Sequence, residues 1–343
     1  MKILGIESSA DETAAAVVED GIHVLSSVVA SQIDIHKEFG GMVPEVAARS
    51  HLEVILPVIQ KALDDARVTL SDIDAIAVTR GPGLNGSLLI GTLAARTIAE
   101  LTDKPLYGIN HVEAHVYANF LSKPRPNFPL LALIVSGGHT QLALFKDHGD
   151  YRLLGQTRDD AAGEAFDKVA RIIGLPYPGG PAIAEAAKSG DDQAFAFPEP
   201  QLGKDSLEFS FSGLKTAVLR TAQAEVGGDF RTKSYEISAL LSQKQRNNIA
   251  ASFQKTVVDI LVGRLLQAYE EHQPASVVIA GGVAANQALQ EALQDRLPSP
   301  IHYAPIKYYT DNAAMIASLG YFQAQFKKPA HPADLTVDPI LSM

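Results

Sequence analysis

The chain has 343 residues, 46% hydrophobic and 20% charged, with a net charge of −10; that is enough apolar material for two cores, so two domains are expected. It has no cysteine, which excludes disulfides, thiolate catalysis and Cys-based zinc sites and leaves any metal to His, Asp, Glu or Asn. The acidic balance argues against broad, autonomous nucleic-acid binding, so an RNA substrate would need a local basic patch or a partner protein.

Taken in chain order, the first apolar stretch after Met1-Lys2 soon meets Glu7 and Asp11-Glu12, too early for a secretion signal. No run approaches the roughly 18 apolar residues of a membrane span, so a cytoplasmic protein without membrane association is expected. Residues 1–21, MKILGIESSADETAAAVVEDG, read as strand, polar turn, strand, with Thr13 closing the turn. A helix is predicted over Pro44–Ala66. Residues 73–100, IDAIAVTRGPGLNGSLLIGTLAARTIAE, read as a buried strand, a Gly-rich loop and a helix over 86–101. Residues 129–149, PLLALIVSGGHTQLALFKDHG, repeat the hairpin, with Thr140 in the place of Thr13. Helices follow over 163–173, 183–187 and 245–272. Residues 274–294, PASVVIAGGVAANQALQEALQ, repeat the strand–glycine loop–helix, and a last helix is predicted over 311–326. The stretches 193–207 and 223–234 are expected as loops. The tail after Lys327 holds three prolines and is expected to fray or to pack as an extended arm.

The two hairpins and the two strand–loop–helix units form an internal duplication. The chain therefore reads as two related α/β halves facing each other across a cleft, with helix N-termini turned toward a ligand.

Five segments carry candidate chemistry. In NHVEAHVYAN, His111 and His115 are four apart and share one face of a helix; this suits a two-histidine metal site or two capping or surface histidines. Val112 stands where a zinc peptidase would carry its glutamate. In IVSGGHTQL, the run Ser136-Gly137-Gly138-His139 offers either an anion cradle or an ordinary hairpin turn. In GEAFDKVARIIGLPYPGGPAI, Asp167 and Lys168 are expected near a helix start, beside a rigid loop with Gly179-Gly180, where the carboxylate suits a ribose hydroxyl. Asn286, after Gly281-Gly282, is expected in the first turn of a helix and suits a base or sugar, or a cap. Asp311, before an apolar helix, is an N-cap or a third metal ligand joining His111 and His115.

These motifs resemble the TsaD family over nearly the whole chain, from LGIESSADET through HKEFGGMVPEVAARSH, TRGPGLNGSLLIG, NHVEAHVYAN, SGGHT, GEAFDKVARIIGLPYPGGP, FSFSGLKTA and AGGVAAN to YTDNAAMIA. The resemblance implies an α/β actin-like ATPase (ASKHA) fold of two duplicated RNase H-like domains. The expected division is 1–110, completed by 311–343, and 111–310. It implies one divalent metal per subunit, iron ahead of zinc, on His111, His115 and Asp311. Threonylcarbamoyl-AMP would lie around Val135, Ser136, Gly137, Gly138, His139, Asp167, Gly180 and Asn286, and the threonylcarbamoyl group would pass to an adenosine of ANN-decoding tRNAs. It also implies TsaB-like and TsaE-like partners. Two positions depart from the pattern: Ala10 stands where the family often has Cys, and Ala184 where a ligand-binding Asp often occurs.

The implied mechanism places the metal on the threonylcarbamoyl part as a Lewis acid, the 136–139 turn on the phosphate, and Asp167, Gly180 and Asn286 on the adenosine. His139 and Glu12 are the catalytic candidates for proton handling. The helix over 43–63 either offers a partner interface or packs on its own core. Rival readings of the same residues are a metallopeptidase, a nucleotide hydrolase or kinase of this fold, and a non-catalytic scaffold.

Overall fold

Buried apolar runs separated by glycine loops and amphipathic helices fold here into two mixed sheets with helices. The computed structural model describes residues 1–203 and 205–343. In chain order the elements are β1 (Lys2–Glu7), β2 (Glu12–Glu19), β3 (His23–Ser31), α1 (Ile33–Phe39), α2 (Pro44–Ala66), β4 (Ala75–Gly81), α3 (Asn85–Thr102), β5 (Leu106–Asn110) and α4 (His111–Tyr117). Then come β6 (Leu130–Val135), β7 (Thr140–Asp147), β8 (Asp150–Gln156), α5 (Ala162–Ile173), α6 (Gly179–Ala187), α7 (Ser212–Glu225), α8 (Ser234–Leu240) and α9 (Gln243–His272). The last are β9 (Ser276–Ala280), α10 (Gln287–Arg296), β10 (Ile301–Tyr303) and α11 (Ala313–Ala324).

The chain divides into two compact units. The first comprises Met1–Pro126, Asp147–Asp150 and His302–Met343, and the second Asn127–Lys146 and Tyr151–Ile301. The first therefore includes 111–126, which the sequence reading assigned to the second half. Its sheet has the order β3-β2-β1-β4-β5, with β1 antiparallel to β2 and parallel to β4. The sheet of the second unit has the order β10-β9-β6-β7-β8, with β6 antiparallel to β7 and parallel to β9. Read in reverse, the second order places β6, β7 and β9 where β1, β2 and β4 stand in the first, so the duplicated hairpins are equivalent pairs of strands.

In the first unit Leu4, Ile6, Ala15 and Val17 pack against Ile55, Val58, Ile59 and Ala62 of α2 and Ala95 and Ala99 of α3. The other face of β1 meets α11 so closely that a Cβ on Gly5 would lie 2.3 Å from the Ala313 carbonyl oxygen. With both faces covered, β1 and β4 read as continuous apolar runs rather than alternating ones. Thr13 and Thr140 play parallel roles: the Thr13 hydroxyl lies 2.7 Å from His51 Nδ1 on α2, and the Thr140 hydroxyl accepts from Ala162 N at the start of α5 (2.9 Å).

The helix predicted over Pro44–Ala66 has those bounds, with proline at its first position and Arg67 closing it in the left-handed region. Helices α1, α7 and α8 lie outside the sequence prediction. Helix α7 buries only Leu214, Val218, Ala222 and Gln223, too thin a stripe to read by period, and it shortens the loop expected over 223–234. Among the described residues, 193–203 and 205–207 hold no helix or strand; residue 204 of that expected loop lies outside the described residues. The tail packs as an extended arm: Ala330 N bonds Leu106 O, Asp338 N bonds Arg80 O, and Leu335 joins the core. No helix among the described residues is long and apolar enough to cross a membrane.

Candidate functional site

In the first unit, β5 ends at Asn110, whose side chain accepts from Val112 N (2.9 Å) and Glu113 N (3.1 Å) and so caps α4. Every residue of α4 is buried. His111 and His115 lie one turn apart, edge to face, with ring centroids 4.7 Å apart. Asp311 directly precedes Asn312, which caps α11 through Met315 N. The cap is thus Asn312, and Asp311 is left facing the histidines. Its Oδ1 lies 3.4 Å from His111 Nε2 and 3.5 Å from His115 Nε2, and one ligand atom from each of the three residues falls within 4.8 Å of the others. Among the described residues, neither ring nitrogen of buried His115 makes a hydrogen bond, Asp311 standing at ion-pair distance only; a bound cation would relieve this costly state. Two imidazoles and one carboxylate, with positions left for substrate, fit a divalent ion.

Sequence reading missed the residues behind this triad. Glu7, at the end of β1, is fully buried. Its Oε2 lies 3.0 Å from His111 Nδ1 and accepts from the Thr79 hydroxyl (2.6 Å), while Oε1 accepts from Ser9 N (2.5 Å). Ser9 Oγ lies 3.2 Å from the same His111 nitrogen. A carboxylate that fixes the outer nitrogen of a metal-binding histidine turns the other nitrogen to the ion. The available signal was one acid closing a strand that is apolar from Ile3 to Ile6. Burial would push the Glu7 carboxyl up, but the charge and hydrogen bond of His111 outweigh it and hold Glu7 below the ordinary carboxylate value. Burial likewise pulls His111 down, and Asp311 and Glu7 overcome it and hold His111 well above its ordinary value. Asp311 is held well below its own, burial notwithstanding, by His111 and then His115.

Glu12 opens β2 and accepts from the Ser31 hydroxyl (2.8 Å). Burial and the neighbouring Asp11 push its carboxyl up to about 9. Ala10 has no side-chain function here; its carbonyl lies 2.9 Å from His51 Nε2.

In the second unit, β6 ends at Val135 and the chain turns through 136–139. Ser136 N donates to His139 O (2.9 Å), and Ser136 Oγ accepts from His139 N (3.2 Å). The turn lies at the carboxyl ends of the parallel pair β6 and β9, where open α/β sheets bind ligands. A Cβ added to Gly137 or Gly138 would meet nothing within 4 Å, so neither glycine is required by internal packing. Their neighbours are. A Cβ on Gly163 would lie 2.5 Å from Ser136 O, and one on Gly281, at φ +89°, 2.4 Å from Val135 O. Two crowded glycines thus clamp the turn from beneath while its outer surface stays open.

Asp167 lies in the middle of α5 rather than near its start, because the helix begins at Ala162. Its Oδ1 accepts from Gly179 N (2.7 Å) and anchors the first turn of α6. Gly180 is the next residue, with open space above it. Ala184, one turn on, adds no polar group to that face. Lys168 is engaged by Asp160 (2.9 Å) and Glu164 (2.7 Å). Asn286 is the N-cap of α10, accepting from Leu289 N (3.1 Å) and donating to Gln254 Oε1 (2.9 Å). The structure therefore gathers the turn, α5 and the start of α6 in one unit, and the three metal-ligand candidates in the other.

Two duplicated units of this topology have the actin-like ATPase fold, here carrying two buried histidines beside a part-buried carboxylate. Solved structures share the fold: HypF from T. kodakarensis (TM-score 0.62, 13% identity, 94% of this chain and 48% of that one), and (R)-2-hydroxyglutaryl-CoA dehydratase component A from Acidaminococcus fermentans (TM-score 0.51, 15% identity, 95% and 100%). The chain belongs to the TsaD family, described as tRNA N6-adenosine threonylcarbamoyltransferase, whose model matches residues 23–318. A relative of that name from Dehalococcoides mccartyi (strain BAV1) is 51% identical over 343 residues, covering 100% of this chain and 99% of its own length.

Proposed function

We propose that this protein transfers the threonylcarbamoyl group of threonylcarbamoyl-AMP to the exocyclic amine of the adenosine 3′ of the anticodon in ANN-decoding tRNAs. The full-length likeness to relatives of that activity supports the reading. The observation that carries it is the group of buried His111 and His115 with part-buried Asp311, His111 being held by Glu7.

An adenine amine is a weak nucleophile, so its acyl donor must be activated. In the transfer the amine nitrogen bonds the carbamoyl carbon, the bond from that carbon to the phosphate oxygen breaks, AMP leaves with the electron pair, and the amine loses a proton. His111, His115 and Asp311 would hold a divalent ion, iron ahead of zinc. When bound, such an ion supplies Lewis acidity toward a carbonyl or carboxylate oxygen. The open backbone at Gly137 and Gly138 suits the phosphate. Asp167, Gly180 and Asn286 suit the adenosine part, without the extra carboxylate that position 184 would provide. Of the proton-handling candidates, Glu12 suits donation and His139 acceptance. Leu52 and Leu56 of α2 are 65% and 66% exposed while its opposite side joins the core; that surface suits a TsaB-like partner, and a TsaE-like ATPase would complete the system in the cytoplasm.

The test is nucleoside mass spectrometry of an unmodified ANN-decoding tRNA after incubation with this protein, its partners, threonine, bicarbonate and ATP. Threonylcarbamoyl-adenosine should form with the unmutated protein and not with His111→Ala. A His111→Ala/His115→Ala variant that lost the metal but transferred normally would sink the metal assignment. No product, with the adenylate present and all partners active, would sink the transferase reading.

A further inference from the structure

The chain carries net charge −10, yet residues 212–246 hold six Lys or Arg against three Asp or Glu. This one segment is basic on an acidic protein. It is also tied into a single knot. Arg220 bonds Gln223 (3.0 Å), Gln223 bonds Thr232 O (3.0 Å), Gln245 bonds Glu225 O (3.0 Å), and Arg246 bonds Ser238 O (2.6 Å). The end of α7, the connection, α8 and the start of α9 therefore form one surface in the second unit.

Two aromatic rings stand out on it. Phe230 is 68% exposed and Tyr235 65%. Arg231 sits over the Phe230 ring at 5.2 Å and Lys233 over the Tyr235 ring at 5.8 Å. The three acids are exposed, but each is engaged by a neighbouring N–H of the same segment: Asp229 accepts from Arg231 N, Glu236 from Lys233 N, and Glu225 from Gln245 Nε2. Arg220, Arg231, Lys233 and Lys244 are exposed, and none of the four forms an ion pair among the described residues. Exposed aromatic rings interleaved with uncompensated cations match the two needs of an RNA strand, a stacking platform and phosphate neutralisation.

The position suits a substrate already engaged by the second unit. Helix α5 starts at the 136–137 turn, which Gly163 touches, and ends where Gly174 packs on Ser238 of α8. At 1.5 Å per residue that is about 16 Å, roughly five stacked nucleotides.

We propose that the 220–244 surface docks the RNA substrate outside the modified nucleotide, with Arg220, Arg231, Lys233 and Lys244 on phosphates and Phe230 and Tyr235 on unpaired bases. This rests on the transferase reading above. The test measures binding of a labelled, unmodified ANN-decoding tRNA to the full chain across a salt series. Compared are the Arg231→Gln/Lys233→Gln/Lys244→Gln triple variant, its charge-keeping counterpart Arg231→Lys/Lys233→Arg/Lys244→Arg, and Phe230→Ala/Tyr235→Ala. The neutral triple variant should bind at least about tenfold more weakly, with the slope of log K against log salt reduced by about 1 per cation. The charge-keeping variant should retain binding, the aromatic variant should weaken it, and affinity for threonylcarbamoyl-AMP should not move in any of them. Unchanged tRNA affinity and slope in the neutral variant would overturn this surface while leaving the transferase reading intact. A surface that binds an acidic polyglutamate peptide but not tRNA would mark a protein-docking face and also overturn it. Failure of the unmutated protein, with its partners, to modify tRNA would instead overturn the transferase reading.

Discussion

Glu7→Gln tests the metal assignment most directly, because the substitution keeps shape and removes only charge and one acceptor. In the native protein the two Glu7 oxygens face the Ser9 amide, the Thr79 hydroxyl and the Nδ1 of His111. A glutamine has one acceptor oxygen and one donor amide. With its oxygen kept toward His111, its amide hydrogens meet the Ser9 N–H, donor against donor. With the amide reversed, the Thr79 hydroxyl can rotate to accept, but His111 must then accept at Nδ1 and carry its hydrogen on Nε2, the nitrogen meant for the ion. Either arrangement forfeits a charge-assisted hydrogen bond worth about 1.5–3 kcal/mol. That corresponds to metal affinity weakened about 10–100-fold, the usual cost of losing such an outer partner. The assay is Zn²⁺ competition against a chromophoric chelator, with thermal melting of the metal-free variant run in parallel so that folding loss is separated from binding loss. Unchanged metal affinity in Glu7→Gln would refute the orientation argument. So would an affinity loss fully matched by unfolding of the metal-free variant.

Three further outcomes follow from the same geometry. Metal binding should release a proton near neutral pH and tighten as pH rises, because Asp311 and Glu7 hold His111 well above its ordinary value and the ion needs the neutral ring; calorimetry in buffers of different ionisation enthalpy reads this, and no proton release would contradict it. For the metal-free protein the same shift adds stability that is fully present below about pH 6.5 and is lost as pH rises through the folded-state value of His111. Gly138→Ala should leave the melting temperature unchanged but weaken binding of threonylcarbamoyl-AMP, since its Cβ would meet open space. Gly281→Ala, at φ +89° and 2.4 Å from Val135 O, should cost about 1–3 kcal/mol in stability; equal melting of the two variants would contradict the reading of the turn. Glu12, pushed up to about 9, keeps its proton in the folded protein after the unfolded chain has lost it near 4.5, so stability of the metal-free protein should decline between those values as pH rises. Glu12→Gln should flatten that decline in a pH series of denaturant melts, and an unflattened curve would show that Glu12 is already ionised.

Repetition and local pattern were legible without coordinates. The two hairpins, the two strand–glycine loop–helix units and the long helix Pro44–Ala66 all follow from apolar runs, glycine placement and a proline at the helix start, which act over a few residues. The spacing of His111 and His115 was legible too, since a helix places residues four apart on one face whatever surrounds it. Helices α1, α7 and α8 were not: α1 and α8 are single short segments and α7 carries only a thin apolar stripe, so they owe their stability to packing rather than to propensity. Asp167 and Asp311 were recognised but placed by local rules, one near a helix start and the other as a possible cap; helix bounds set by the neighbouring residues put the first in mid-helix and gave the cap to Asn312.

What the sequence by itself determined was the duplicated architecture, the family motifs and the chemical types available to the site. Only the tertiary structure decided that Glu7 and Ser9 stand behind His111 across 104 and 102 residues of chain, that Asp311 meets both histidines, and that Gly137 and Gly138 face open space while Gly163 and Gly281 are pinned. The reason is physical: periodicity reports which face of an element is apolar, whereas the partner of a buried carboxylate, or the room above a glycine, is set by elements that meet in space from distant parts of the chain.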